Sequence, residues 1–374
     1  MKIAIISRGI PDAKYPLNGI FEFDQARALK NAGNDVAVFA IDFRSISYKR
    51  KYGFFEYDKE GVKVYELSLP LGVYRRALPI LQFLLLRLFK KALKSFGKPD
   101  IIHAHFYSIA AIASILKKKF KIPFIVTEHS SQLTKPASQI SSLDKKIATK
   151  AYKECDNLIC VSKTLSNNIL HNFNHRSVVV PDMVDDRIYS YIGQNKELSP
   201  FVYVSVGNLV PIKAFDILIE AFAKVKDNAN LLIVGDGPEK EKLQNIIKKL
   251  DLDAQVKLLG QLDRVKINEI YQKSHVFVLA SQSETFGVSY VEAMYAGLPV
   301  IATRCGGPES FVDESNGLLV AVNDADALAN AMLSIRNNYS NYNSIKISED
   351  NKKRFSPEVI AVKIVEIYNK TKVL

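Results

Sequence analysis

The chain has 374 residues, 48% hydrophobic and 24% charged, with a formal net charge of +12. That length implies two or three domains with sizeable cores, and the composition excludes a disordered or low-complexity protein. Three cysteines (Cys155, Cys160, Cys305) without paired metal spacing, no cleavable leader and no apolar run of the ~18–20 residues that span a bilayer predict a reduced, cytosolic chain that does not cross a membrane. The charge is unevenly placed. Residues 1–180 hold 29 Lys and Arg against 14 Asp and Glu, and residues 181–374 hold 22 against 25. The first half therefore calls for an anionic partner, either nucleic acid or an acidic lipid surface.

In chain order, the pattern predicts a strand at 3–6, a glycine-bearing loop through Gly19, a helix at 20–31 with Gly33 at its C-terminal end, and a strand at 35–40. Further strands are predicted at 63–67, 101–104, 124–127 and 158–161, with helices between, and Val178–Val180 precedes a proline turn at Pro181. Residues 182–200 read as a polar linker. The alternation then restarts: strands at 201–206, 231–234, 255–259, 276–279, 300–302 and 318–320, helices at 216–225, 239–250 and 264–273, and a last helix at 357–371 behind Ser356. Strands alternating with helices imply two α/β units with parallel sheets, and ligands bound outside the C-terminal strand ends.

The sharpest chemical signal is Ser283-Glu284-Thr285-Phe286-Gly287-Val288-Ser289-Tyr290-Val291-Glu292. Glu284 falls in the loop after a strand and Glu292 within the following helix. Between them a helix N-terminus offers free N–H groups and a positive dipole. A carboxylate for a sugar, amides for a diphosphate and a carboxylate whose two oxygens can accept two ribose hydroxyls together suit a sugar nucleotide.

The second half resembles the retaining glycosyltransferases of the GT-B fold, family GT4, through Glu284-x7-Glu292, the run 206–222 from Val206-Gly207-Asn208 to Phe222, and Gly235-Asp236-Gly237-Pro238. The first half is similar too, in residues 18–29, 100–105, 127–130 and 161–165. The resemblance implies two Rossmann-like domains facing across a cleft, an acceptor-side domain at 1–185 and a nucleotide-sugar domain at 186–356, with helix 357–374 packed back on the first. It implies that Glu284 contacts the transferring sugar with Thr285. Phe286, Gly287 and Val288 would line the sugar and phosphate site, Glu292 would hold the ribose, and Lys213 the diphosphate. Gly207 and Asn208 would form the phosphate loop, Gly19 would approach the diphosphate, Leu262 would sit at the base and His129 at sugar and acceptor. Catalysis falls to Glu284, His129 and Lys213.

The implied co-substrate is a UDP- or GDP-linked sugar, with no metal or other cofactor, and the implied acceptor a lipid-linked or other oligosaccharide of envelope polysaccharide assembly, such as capsule or lipopolysaccharide. Two positions depart from the family pattern. Asn208 stands where an arginine is usual, and Pro181-Asp182-Met183-Val184-Asp185 replaces a Pro-Asn-Gly-Val-Asp-like turn.

Other readings compete. His103 and His105 alternate along one strand and could bind a metal with His129; histidines lining the cleft are the preferred alternative. Asp251-x-Asp253 and Asp324-x-Asp326 read as turn or cap acids. Residues 74–98 form a leucine stripe flanked by Arg75, Arg76, Arg87, Lys90, Lys91, Lys94 and Lys98. It reads either as a buried helix or as one lying in an anionic membrane interface, which would place the protein peripherally on the inner face of the cell membrane. Nucleic acid fits less well, because no known binding module accompanies the charge. The alternatives to a transferase are a catalytically degenerate partner subunit and, less favoured, a sugar-nucleotide epimerase.

Overall fold

A computed structural model describes residues 1–72, 77–193 and 197–372. The chain divides into two compact units, Met1–Met183 with Pro357–Leu374, and Val184–Ser356. In unit 1 the order is β1 (Lys2–Ser7), α1 (Ile20–Asn31), β2 (Asp35–Asp42), β3 (Gly53–Lys59), β4 (Val62–Ser68), α2 (Leu78–Phe96), β5 (Ile101–His105), α3 (Tyr107–Phe120), β6 (Phe124–Glu128), α4 (Ser142–Glu154), β7 (Asn157–Cys160), α5 (Lys163–Phe173) and β8 (Val178–Val179). These strands form one sheet ordered β3-β4-β2-β1-β5-β6-β7-β8. All neighbours pair in parallel except β3 and β4, which are antiparallel. That edge hairpin was not foreseen. It turns at Glu60-Gly61, both with positive φ, as a tight two-residue hairpin requires.

Unit 2 contains β9 (Phe201–Val206), α6 (Phe215–Ala223), β10 (Ala229–Val234), α7 (Lys240–Lys249), β11 (Val256–Leu258), α8 (Arg264–Lys273), β12 (Val276–Leu279), α9 (Val288–Tyr295), β13 (Val300–Thr303), β14 (Gly317–Val320), α10 (Ala325–Asn337) and α11 (Ser344–Phe355). Its sheet is all parallel, ordered β11-β10-β9-β12-β13-β14. The last helix, α12 (Pro357–Lys372), belongs to unit 1, where Ile360, Ile364, Ile367 and Tyr368 join the core with Phe23 and Leu29 of α1.

In both sheets the connections run first to one side and then to the other. The reversal falls between β1 and β5 in unit 1 and between β9 and β12 in unit 2. Loops leaving such neighbouring strands diverge and open a crevice at their C-terminal ends. The sequence supplies the turns. Gly19 enters α1 at φ 72°, and a Cβ there would lie 2.0 Å from the Gly9 carbonyl oxygen. The glycine is thus demanded by the fold, whatever approaches the loop.

Helix α2 settles one expectation. Leu81, Leu85, Leu88, Phe89, Ala92 and Phe96 are buried in unit 1, so most of the leucine stripe is core and does not face a membrane. Its exposed residues include Ile80, Phe83 and the cations Arg87, Lys90, Lys91 and Lys94. Residues 74–76 of the predicted membrane segment, including Arg75 and Arg76, lie outside the described residues. Among the described residues no helix is long and apolar enough to cross a membrane.

Candidate functional site

In unit 2 the loop after β9 carries Gly207, Asn208 and, in a 3-10 turn, Lys213. It is clamped by the loop after β10: the Gly207 N–H donates to the Val234 carbonyl (3.0 Å) and the Leu209 N–H to that of Asp236 (2.9 Å). A Cβ on Gly235 would sit 1.9 Å from the Gly207 carbonyl oxygen, and one on Gly237 2.4 Å from that of Leu209. Those two glycines exist so that the loops can touch. At Gly207 itself a Cβ would meet only the side chains of Phe215 and Lys213, at ordinary contact distances of 3.6–4.0 Å. Nothing inside the unit demands a glycine there. Asn208 is exposed, and Leu262 is half-buried beyond Gly260, whose carbonyl accepts from the Gly235 N–H.

The loop after β12 meets this one across the switch point. Glu284 is 7% exposed and bridges to Gly306; its N–H donates to the Cys305 carbonyl, and its own carbonyl accepts from the Gly307 N–H. Its Oε1 accepts from Lys213 Nζ at 2.5 Å and from Ser281 Oγ at 2.7 Å. A cation delivered by one strand end and a carboxylate delivered by its neighbour thus form a desolvated pair. Helix α9 then begins behind Gly287, whose φ of 97° suits glycine, with no side chain capping it. Among the described residues the N–H groups of Phe286, Gly287, Val288 and Ser289 donate to no partner. The Phe286 ring is buried against Phe311 and Phe355, and Thr285 and Val288 are half-buried. The loop therefore presents main chain, as an anion seat needs. Glu292 is 9% exposed one helical turn further on. Burial first, and then Glu292, hold the hydroxyls of Tyr189 and Tyr271 well above the usual phenol range.

In unit 1 the residues at the ends of β5 and β6 form a row. The rings of His103, His105 and His129 stack successively at 4.8 and 5.2 Å. His103 Nδ1 lies 2.6 Å from the Tyr368 hydroxyl and 3.0 Å from Gln25 Nε2, and its Nε2 lies 2.7 Å from Thr127 Oγ1. Burial lowers its pKa to about 3. His105 Nδ1 meets His129 Nε2 at 2.9 Å. His129 Nδ1 lies 3.0 Å from Asp182 Oδ1, off the line of a good hydrogen bond, so the attraction is chiefly coulombic. Burial pushes the His129 pKa down, but Asp182, Glu22 and Glu128 outweigh it and the pKa is raised. Burial first, and then His103, His129 and Arg8, lower the His105 pKa well below its ordinary value. Both nitrogens of His103 and of His129 face other side chains, His105 Nε2 has no hydrogen-bond partner, and among the described residues no three-residue group is arranged to hold a metal. The stacked row does not favour the three-histidine metal reading. His129, expected at sugar and acceptor, has both ring nitrogens turned to protein, while its ring helps line a small cavity with Phe21, Asp24, Gln25, Thr127 and Asp182.

Glu128 holds this row in place. It is fully buried; Oε1 accepts from the N–H groups of His129 (3.1 Å) and Ser130 (2.9 Å), and Oε2 from the Tyr107 N–H and the Tyr152 hydroxyl, both at 2.8 Å. Its role was not read from the sequence, nor were those of Ser281, Tyr189, Asp182 and Glu22. None carries a local pattern that would mark it. Asp251 occupies a left-handed turn and Asp324 caps α10, as foreseen.

With this geometry in place, comparison with known proteins is informative. Residues 192–353 match the family model "Glycosyl transferases group 1", and residues 23–187 match "Glycosyltransferase Family 4". An uncharacterized glycosyltransferase of Methanocaldococcus jannaschii is 31% identical over 277 residues, covering 72% of this chain and 75% of the relative. The chain belongs to the group 1 glycosyltransferases. The N-acetyl-alpha-D-glucosaminyl L-malate synthase of Bacillus anthracis is 30% identical over 251 residues, 63% of this chain and 65% of that one. Among solved structures, the sucrose-phosphate synthase of Thermosynechococcus elongatus superposes with a TM-score of 0.83 at 22% identity over 98% of both chains. Anabaena HepE, solved in complex with UDP-glucose, gives 0.75 at 20% identity, covering 99% of this chain and 100% of that one. At these identities the two structures speak for the fold of this glycosyltransferase, which is GT-B.

Proposed function

We propose that the chain moves a sugar from a nucleotide diphosphate to a glycan acceptor with retention of anomeric configuration. The observation that carries this reading is the Lys213–Glu284 pair beside the unbonded N–H groups that open α9. A departing diphosphate develops negative charge, and a cation with fixed amide donors meets that charge without reorganising. Lys213 then exchanges Glu284 for phosphate, which frees the carboxylate to accept hydroxyls of the transferring sugar. Glu292 accepts the ribose diol. Gly207, where the fold tolerates a Cβ, lets phosphate approach the backbone closely. Cations and amides supply the charge a metal would otherwise bring, so this reading requires none. With no protein nucleophile assigned to the far face, the acceptor hydroxyl enters on the side the nucleotide leaves, and a phosphate oxygen takes its proton. The complex of HepE with UDP-glucose supports a UDP-linked donor.

The acceptor in this reading is a lipid-linked saccharide of envelope polysaccharide assembly. The exposed Ile80 and Phe83 beside Arg87, Lys90, Lys91 and Lys94 support contact with an anionic membrane. Turnover of a panel of UDP- and GDP-sugars with membrane extract tests the whole reading, with Glu284→Ala as control. The wild type transfers or hydrolyses one donor and the variant neither. Bound nucleotide with no hydrolysis and no transfer favours a second reading, a degenerate partner subunit, which the neutral Asn208 supports.

A further inference from the structure

We propose that Arg8, Glu22 and His105 form a binding site for a pair of sugar hydroxyls at the switch point of the unit 1 sheet. Arg8 follows β1, His105 ends β5, and Glu22 lies in the first turn of α1, so all three gather where the loops diverge. Glu22 is fully buried, yet neither of its carboxylate oxygens has a hydrogen-bond partner. Arg8 Nε stands 3.4 Å from Oε1 and makes no hydrogen bond either. His105 Nε2 is the fourth buried atom of this corner without a hydrogen-bond partner. Buried polar groups are satisfied as a rule, so an unsatisfied cluster of complementary sign calls for a ligand.

The chemistry of the cluster selects that ligand. His129, paired with Asp182, donates its Nε2–H to His105 Nδ1 across 2.9 Å. A neutral His105 then carries its proton on Nε2. The corner therefore offers two acceptors on Glu22 and two donors, Arg8 Nε–H and His105 Nε2–H. A hydroxyl both gives and takes a hydrogen bond, so two hydroxyls answer all four. A simple anion is repelled by Glu22, and a cation meets an arginine and a histidine N–H. Arg8 is the solvent-facing member, its side chain 40% exposed and laid over the Phe106 ring at 4.2 Å. Its rotation opens the carboxylate. Phe106 holds a φ of 63° that non-glycine residues seldom adopt, which keeps this ring under the arginine.

The identity of the ligand as a sugar rests on the transferase reading; the site itself does not. The test titrates glucose, N-acetylglucosamine and glycerol into the full-length protein, followed by saturation-transfer NMR and thermal melting, with UDP binding measured on the same samples. A sugar binds the wild type. Glu22→Leu weakens it by at least about 10-fold and raises Tm, because a buried carboxylate with no hydrogen-bond donor is removed while its ion-pair partner Arg8, 40% exposed, stays solvated; Glu22→Gln, which keeps the shape, weakens it by about 3-fold or more. Unchanged sugar binding in both variants, no binding of any probe to the wild type, or a lower Tm for Glu22→Leu overturns the site. If UDP fails to bind the wild type, the transferase reading falls while the sugar arm still decides the site. UDP-glucose hydrolysis without acceptor separates two sources of the hydroxyls. Loss of transfer alone in Glu22→Gln assigns them to the acceptor, and loss of both reactions to the transferred sugar; either result supports the site.

Discussion

Each unit carries a buried glutamate at its switch point, and the two are treated differently. Glu284 in unit 2 accepts from Lys213 and Ser281, whereas Glu22 in unit 1 has Arg8 at 3.4 Å and no hydrogen bond. Glu128, also in unit 1, supplies the third case, with four donors on its two oxygens. The gradation separates roles that burial alone does not. A carboxylate saturated by its own chain is architecture. One held by a single lysine and a hydroxyl is poised, and one without donors is incomplete.

Two substitutions test the ends of that scale. Lys213→Met removes the cation that answers Glu284 and, in the proposed reaction, the leaving diphosphate. Steady-state kinetics on the donor that turns over should show a loss of about 10²–10³ in kcat, the range for a removed electrostatic stabiliser. Wild-type kcat in this variant would reduce Lys213 to a partner of Glu284. Glu128→Gln tests architecture, since the amide cannot accept at both of its atoms and turns an NH2 toward two donors. Stability should fall by about 2–4 kcal/mol, roughly 5–10 °C in the melting of a unit this size, with UDP affinity at the other unit unaltered. A shift below about 2 °C would mean that the donors find other partners.

Legibility in the sequence followed the same division. The unit 2 site lies in two short stretches, 207–213 and 281–292, so a linear reading finds its parts, and strands 201–206 and 276–279 came out at their observed ends. The unit 1 cluster draws on residues 8, 22, 105, 129 and 182, brought together only by strand order. Nothing local marks Glu22 as buried, because the helix that carries it is covered by α12 and the sheet, elements distant in sequence. Strand β3 was missed because it is an edge strand, with charged residues alternating along a half-exposed face. Helices α10 and α11 went unassigned although Asp324 read as a turn or cap acid, because a cap residue alone serves a turn as well as a helix start, and the cap at Asn343 was not read. The leucines of α2 were visible as a stripe, but periodicity says only that a face is covered, and the cover proved to be protein.

The histidine row makes a prediction in pH. The His129 pKa is raised in the folded protein, so its pairing stabilises the protonated form. That stability is fully present below the ordinary value of 6.5 and is lost as pH rises through the raised pKa. Asp182→Asn should therefore destabilise unit 1 by about 1–2 kcal/mol near pH 6 and by little near pH 9, with the His129 ring titrating at lower pH in the variant. Equal destabilisation at both pH values, or an unmoved ring titration by NMR, would show that Asp182 acts by packing alone.

The smallest effect is expected at position 208, and it bears on the unit 2 side of the comparison. Asn208 is exposed on the loop whose backbone is clamped from below by Gly235 and Asp236, so its side chain is free of structural duty and a longer one is accommodated. Asn208→Arg adds a planar cation to the loop that also carries Lys213. If diphosphate seats there, UDP should bind about 3- to 10-fold more tightly by calorimetry, with the gain shrinking as salt is added, as befits a partly exposed charge. The melting temperature without UDP should not move, since no buried contact changes. An unaltered dissociation constant would place the phosphates away from the first loop of unit 2 and leave Lys213 as the cation that defines the seat.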